Sequence, residues 1–91
     1  MTITNFLLYH TYPHILLVPN PSSGSTSIQS DQDIGNCRII ISDALGRQVA
    51  EFDKKITKGS TLLQTDLSSG NYFIRIESYA NSYTLPLTVL K

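Results

Sequence analysis

Apolar residues recur along this chain with a period of two. In Cys37–Asp43, Cys37, Ile39 and Ile41 fall on one face, and Arg38, Ile40 and Ser42 on the other. Asn71–Tyr79 alternates in the same way, with Tyr72, Ile74 and Ile76 against Phe73, Arg75 and Glu77. Ser82–Leu90 places Leu85, Leu87 and Val89 together, and Ser25–Ser30 places Thr26 with Ile28. Shorter runs at Gln48–Phe52 and Ser60–Asp66, with a first strand near Ile15–Val18, bring the predicted count to about seven strands. After Pro21 no stretch of a dozen residues shows apolar positions at helical spacing without an intervening turn former. The fold class is therefore all-β.

The connections are short. Asp43-Ala44-Leu45-Gly46 has Asp first and Gly fourth, which suits a type I turn closed by a left-handed glycine, giving a tight hairpin. Lys58-Gly59 and Ser68-Ser69-Gly70 mark further turns. Pro86 interrupts the last strand. Proline gives no N–H to a ladder, so this strand is expected at a sheet edge or with the Pro86 nitrogen facing away from its neighbour. Gly70-Asn71-Tyr72 opens a late strand in the manner of a tyrosine corner, whose phenol bonds back to upstream backbone, a structural role. Short strands, frequent turns and no helices predict a β-sandwich.

Val18-Pro19-Asn20-Pro21 divides the chain into unlike parts. Pro19 and Pro21 hold the backbone extended and stop pairing. The regular strand series follows them. Before them lies an apolar stretch, residues 1–17, read as a linker, a remnant of a preceding cargo protein or an extra N-terminal strand.

At 91 residues the chain makes one domain. Such a domain buries roughly 60–65% of its unfolded surface, enough for a thin core but not for a deep cleft. Seven basic residues balance seven acidic ones, so no net field draws in nucleic acid or anionic lipid. Cys37 is the only cysteine, which excludes an intrachain disulfide. The longest apolar run, Ile15–Val18, is far below the roughly 20 residues of a membrane-spanning helix. The first 17 residues carry no Lys or Arg, unlike a signal peptide, so any export signal is expected upstream of Met1.

The residues able to carry chemistry do not converge in the sequence. His10 and His14 have the spacing of a helical metal pair, but Pro13 lies between them and no Cys or carboxylate is near. Asp31 and Asp33 open a partial calcium-loop pattern that reads better as a polar connector. Cys37 reads as a small buried hydrophobe rather than a nucleophile. A hydrolase triad would need the N-terminal histidines folded over the sheet. The chain is expected to be non-enzymatic and to use no cofactor or metal.

Taken together, the motifs resemble a known family. From Val18 to Lys91 the chain is similar to the C-terminal sorting domain of the type IX (Por) secretion system of Bacteroidetes. The resemblance rests on Val18-Pro19-Asn20-Pro21 with its polar run Ser22-Ser23-Gly24. It continues in Ile39-Ile40-Ile41-Ser42-Asp43-Ala44-Leu45-Gly46-Arg47-Gln48-Val49 and in Leu67-Ser68-Ser69-Gly70-Asn71-Tyr72-Phe73-Ile74-Arg75, and ends in Leu87-Thr88-Val89-Leu90-Lys91. Ser68 stands where the family usually has Pro, and Pro86 interrupts a strand that often carries basic residues. The resemblance implies an immunoglobulin-like sandwich that serves as a non-catalytic address. It implies an N-terminal cargo, recognition by the outer-membrane translocon, cleavage by a sortase-type peptidase and delivery, via the periplasm, to the cell surface or outside. The implied motif and recognition residues are Pro19, Asn20, Pro21, Asp43, Gly46, Gly70, Tyr72, Leu87, Val89 and Lys91.

Tyr83–Leu90 is expected to offer a free edge for strand addition to a receptor. A second reading is a carbohydrate- or protein-binding accessory sandwich of an extracellular enzyme or adhesin. Trp is absent, so Tyr9, Tyr12, Tyr79 and Tyr83 would supply any sugar platform. A third expectation is a homodimer, formed through the apolar N-terminal segment, with Phe6, Leu7, Leu8 and Ile15–Val18, or through a sheet edge.

Overall fold

The computed structural model describes residues 14–91, and everything stated about structure refers to them. They form seven strands and no helix. These are β1 (Ile15–Val18), β2 (Ser25–Ser30), β3 (Gly35–Asp43), β4 (Gln48–Ile56), β5 (Gly59–Gln64), β6 (Gly70–Glu77) and β7 (Ser82–Val89). One sheet has the order β1-β2-β5 and the other β4-β3-β6-β7. Every strand pair is antiparallel. Residue contacts between β1 and β7, and between β4 and β5, set the three-stranded sheet over the other. This is the two-layer plan of an immunoglobulin-like sandwich, with β4 joined to the β3-β6-β7 sheet.

The period-two pattern explains the core. Ile15, Leu17, Ile28 and Leu63 come from the inner face of the three-stranded sheet. Cys37, Ile39, Ile41, Ile56, Tyr72, Ile74, Ile76, Leu87 and Val89 meet them from the other. Removing such side chains from water stabilises the fold by roughly 1.5–3 kcal/mol each, and this burial is the principal favourable term. Ile40 lies on the outer face and is nevertheless buried. Its cross-strand partners are Glu51 and Arg75, whose long stems can lie over it while their charges stay in water.

Strand boundaries differ from the sequence pattern chiefly in β4. It runs to Ile56 rather than Phe52, because Lys54 and Lys55 mask a continuing alternation of Ala50, Phe52, Lys54 and Ile56. β6 stops at Glu77, where the turn Ser78–Asn81 is closed by the bond from Ser78 N to Asn81 O at 2.8 Å.

The β3–β4 connection has the expected hairpin form. Gly46 N donates to Asp43 O at 3.0 Å and Asp43 N to Arg47 O at 2.9 Å, with Gly46 at φ +86°. A side chain at position 46 would be strained there. The ladder then shifts register after Ile41, the bulge that follows such a turn. The Asp43 carboxylate accepts from Leu45 N at 2.9 Å, from Arg47 N at 3.0 Å and from Arg47 Nε at 2.9 Å. The Arg47 backbone bond comes first among the effects that hold its pKa below the usual carboxylate range.

Cys37 is buried, its thiol donating weakly to Gly35 O at 3.4 Å. Burial raises its pKa and disfavours the thiolate. Cys37 should therefore resist alkylation in the native protein and react at the rate of an unfolded peptide in denaturant. Rapid native-state alkylation would contradict the packing. A second prediction concerns Asp43. A carboxylate with a depressed folded-state pKa adds stability above its unfolded pKa of about 3.9, and that stability is lost as pH falls through the folded value. The gap in melting temperature between wild type and Asp43→Asn should be open at pH 7 and close as the pH falls below about 4. A gap that persists unchanged at pH 2 would rule out the ionised carboxylate as its source.

Candidate recognition end

The motif residues lie far apart in sequence but share one end of the sandwich. Asp43 on β3 faces Tyr72 on β6, and Tyr72 faces Leu87 on β7. Gly70 faces Val89, and Val89 meets Ser22 in a parallel bridge. The hairpin with Gly46, the Leu67–Gly70 loop, the Pro-Asn-Pro segment and Lys91 thus surround the ends of β3, β6 and β7.

The Pro-Asn-Pro segment changes sheets. The chain leaves β1 at the edge of one layer and reaches β7 at the edge of the other. Both X–Pro peptide bonds, before Pro19 and before Pro21, are cis. Thr26, buried on β2, holds the start of the crossing by donating from Oγ1 to Pro19 O at 3.0 Å. Asn20 then pairs with β7 through its side chain. Its Nδ2 donates to Pro86 O at 2.9 Å and its Oδ1 accepts from Thr88 N at 3.0 Å. Ser22 continues with its backbone, its N–H donating to Thr88 O at 2.8 Å and its carbonyl accepting from Leu90 N at 2.8 Å. The carboxamide of Asn20 presents one donor and one acceptor in the order a strand would, which Asp or Leu could not do.

Other bonds fix the same end. Tyr72 OH donates to Ser68 O at 2.8 Å, the tyrosine corner expected from the sequence. Thr88 Oγ1 donates to Asn71 Oδ1 at 3.0 Å. Lys91 N donates to Ser69 Oγ at 2.9 Å, and its ammonium lies 3.8 Å from Asp66. An added Cβ at Gly70 would sit 3.6 Å from the Tyr72 ring, an ordinary contact.

This geometry revises the expectation of a free last strand. β7 is an edge strand, as Pro86 implied, and Pro86 directs its backbone outward to Asn20. The C-terminal half of that edge, Pro86–Leu90, is already occupied by Asn20 and Ser22. An antiparallel strand turns alternate residues outward, so the stretch left open is Ser82–Thr84. Leu87 and Val89 are core residues at 1% and 0% exposure, so their side chains shape this end from inside. The exposed side chains here include Leu45, Phe73, Leu90 and Lys91. The sequence placed Ser22 and Thr88 within the motifs and Thr26 beside Ile28 on one strand face, but gave none of them its role in joining this end.

The remaining candidates do not assemble. His14 pairs with Asp31 at 3.3 Å, and its proposed partner His10 lies outside the described residues. The Asp31 carboxylate accepts from His14 N, whereas Asp33 accepts from Lys58 N, so the two serve different loops. No group of three or more His, Cys, Asp or Glu able to hold a metal occurs among the described residues. Tyr79 is fully exposed beyond β6, and Tyr83 packs partly against the core at that opposite end. Tyr9 and Tyr12 lie outside the described residues.

Asn20→Ala leaves Thr88 N and Pro86 O without protein partners at a solvent-facing edge. It should cost about 1–2 kcal/mol, from two hydrogen bonds of about 1 kcal/mol each. Hydrogen exchange should accelerate at Thr88 and Leu90 more than at Ile74. Uniform exchange changes across β6 and β7 would show that Asn20 does not act as a local clamp.

Comparison with known proteins bears directly on this end. A search of curated proteins finds no match. A family model does match, over residues 17–89, described as a secretion system C-terminal sorting domain. The matched span runs from β1 to the last residue of β7 and includes every strand joined at this end. That family is a type IX secretion sorting signal rather than a catalytic domain, and it implies export to the cell surface or secretion. The chain belongs to the secretion system C-terminal sorting domain family.

Proposed function

We propose that this module directs a cargo protein attached at its N-terminal side through the type IX outer-membrane translocon, and that the translocon reads the end built around the Pro-Asn-Pro clamp. The convergence of motifs from Pro19, Asp43, Gly70 and Lys91 on one end carries this reading. An address needs a rigid shape and accessible groups. The clamp, the hairpin and the tyrosine corner supply rigidity, and Leu45, Phe73 and Leu90 supply exposed apolar surface for a partner to cover. Pro19, Asn20 and Pro21 act in this reading by holding the last strand in place. A sortase-type peptidase would cut on the N-terminal side, ahead of β1, releasing cargo at the cell surface. The folded module would then begin at Ile15, since Ile15 and Leu17 belong to its core.

The test is export of a reporter fused ahead of residue 14. Leu45→Asp combined with Leu90→Asp should leave folding intact and lower surface delivery about tenfold, equivalent to about 1.4 kcal/mol of recognition. Tyr79→Asp, at the opposite end, should leave delivery unchanged. Equal delivery by all three proteins would sink the assignment of this end.

A further inference from the structure

The two open sheets have four edges, formed by β1, β5, β4 and β7. Three of them are guarded. β1 has only four residues and runs into Pro19. β7 carries Pro86 and the Asn20 clamp. β4 carries Glu51, Asp53 and Lys55, with Lys54 on its inner side. Short length, proline, covering chain and charge are the devices by which natural sheets block edge-to-edge pairing. β5 has none of them among the described residues. Gly59-Ser60-Thr61-Leu62-Leu63-Gln64 is six residues long, uncharged and free of proline.

The backbone direction of β5 follows from its ladder. Thr65 N donates to Gly24 O on the β2 side, so Thr61, Leu63 and Thr65 turn inward to β2. Ser60, Leu62 and Gln64 then turn their N–H and C=O groups to the open edge. No protein partner for these groups occurs among the described residues. Leu62 also leaves its side chain 53% exposed on the outer face.

We propose that β5 pairs with β5 of a second copy about a two-fold axis through Leu62. In that antiparallel register Leu62 meets the partner's Leu62, and Ser60 meets the partner's Gln64. All the outward backbone groups of these residues find complementary partners. Just beyond them Lys58 falls opposite the partner's Asp66, and Asp66 opposite the partner's Lys58. This places opposite charges together twice, at both ends of the joined strands. The rest of the joined sheet offers no repulsion, because β1, β2 and β5 contain no charged residue. Within its own chain Asp66 is fully exposed, with only Lys91 at 3.8 Å. The pairing runs along the β5 side of the sandwich, and its Asp66 contact falls beside Lys91 at the Pro-Asn-Pro end.

One six-residue strand buries far less than the roughly 1,200 Å² of a stable interface, so the dimer is weak, with a dissociation constant on the order of 0.1 mM. Sedimentation equilibrium of the 91-residue chain should show the mass rising from 10.1 kDa toward twice that value between about 10 μM and 1 mM. Lys58→Asp sets like charges opposite each other and should weaken association about tenfold or more. The double exchange Lys58→Asp with Asp66→Lys restores opposite charges in this register and should recover dimerisation. Leu62→Pro removes an outward N–H that β2 does not use, and should abolish the dimer with the monomer still folded. A wild type that stays monomeric at 1 mM would overturn the proposal. So would a Lys58→Asp protein that associates as strongly as wild type, or a double exchange no stronger than the single one.

Discussion

Each strand of this module has one face to bury, and two thin layers are the only place to bury it. That constraint sets the rest. It requires the period-two pattern in β3, β6 and β7, and it brings Ile28 and Leu63 over Ile39, Ile41 and Ile74. It also leaves both sheets open, since seven strands divided three and four do not close on themselves. Every edge then presents a row of backbone groups that need some other partner or some defence.

The chain meets this demand at β7 by using its own N-terminal side. After β1 the backbone crosses between layers, and Asn20 and Ser22 complete the edge of the last strand. The start and the end of the sandwich are thereby joined at one place. For a sorting domain this coupling matters physically. The segment nearest the cargo and the strand nearest the C-terminus share hydrogen bonds, so the address has a defined shape only when both are in position. At β5 the chain leaves the edge open.

Much of the fold was legible in the sequence. β1 and β2 have the bounds their pattern implied, because each is bracketed by punctuation and each alternates cleanly. The Asp43 turn and the Tyr72 corner were readable because a turn type and a local phenol–carbonyl bond are fixed by a few neighbouring residues. The extension of β4 to Ile56 was hidden, because Lys54 faces inward at an edge strand and breaks the hydropathy pattern without breaking the ladder. The candidate end was legible only as separate motifs. Leu87 and Val89 belong to the last motif, and the packing places their side chains in the core, as their shared strand face implied.

The sequence alone determined what depends on near neighbours: the alternation that makes strands, the turn residues that end them, the lone thiol and the balanced charge. It also carried the ordered motifs by which the family is known. The tertiary structure decided which strand edges are covered and which are not. That outcome depends on hydrogen bonds between Asn20 and β7, more than sixty residues away, and no local property of Asn20 or Thr88 encodes the pairing. An amide in the sequence is a turn former. Placed beside Pro86 and Thr88 by the packing of two sheets, it becomes the piece that completes the last strand.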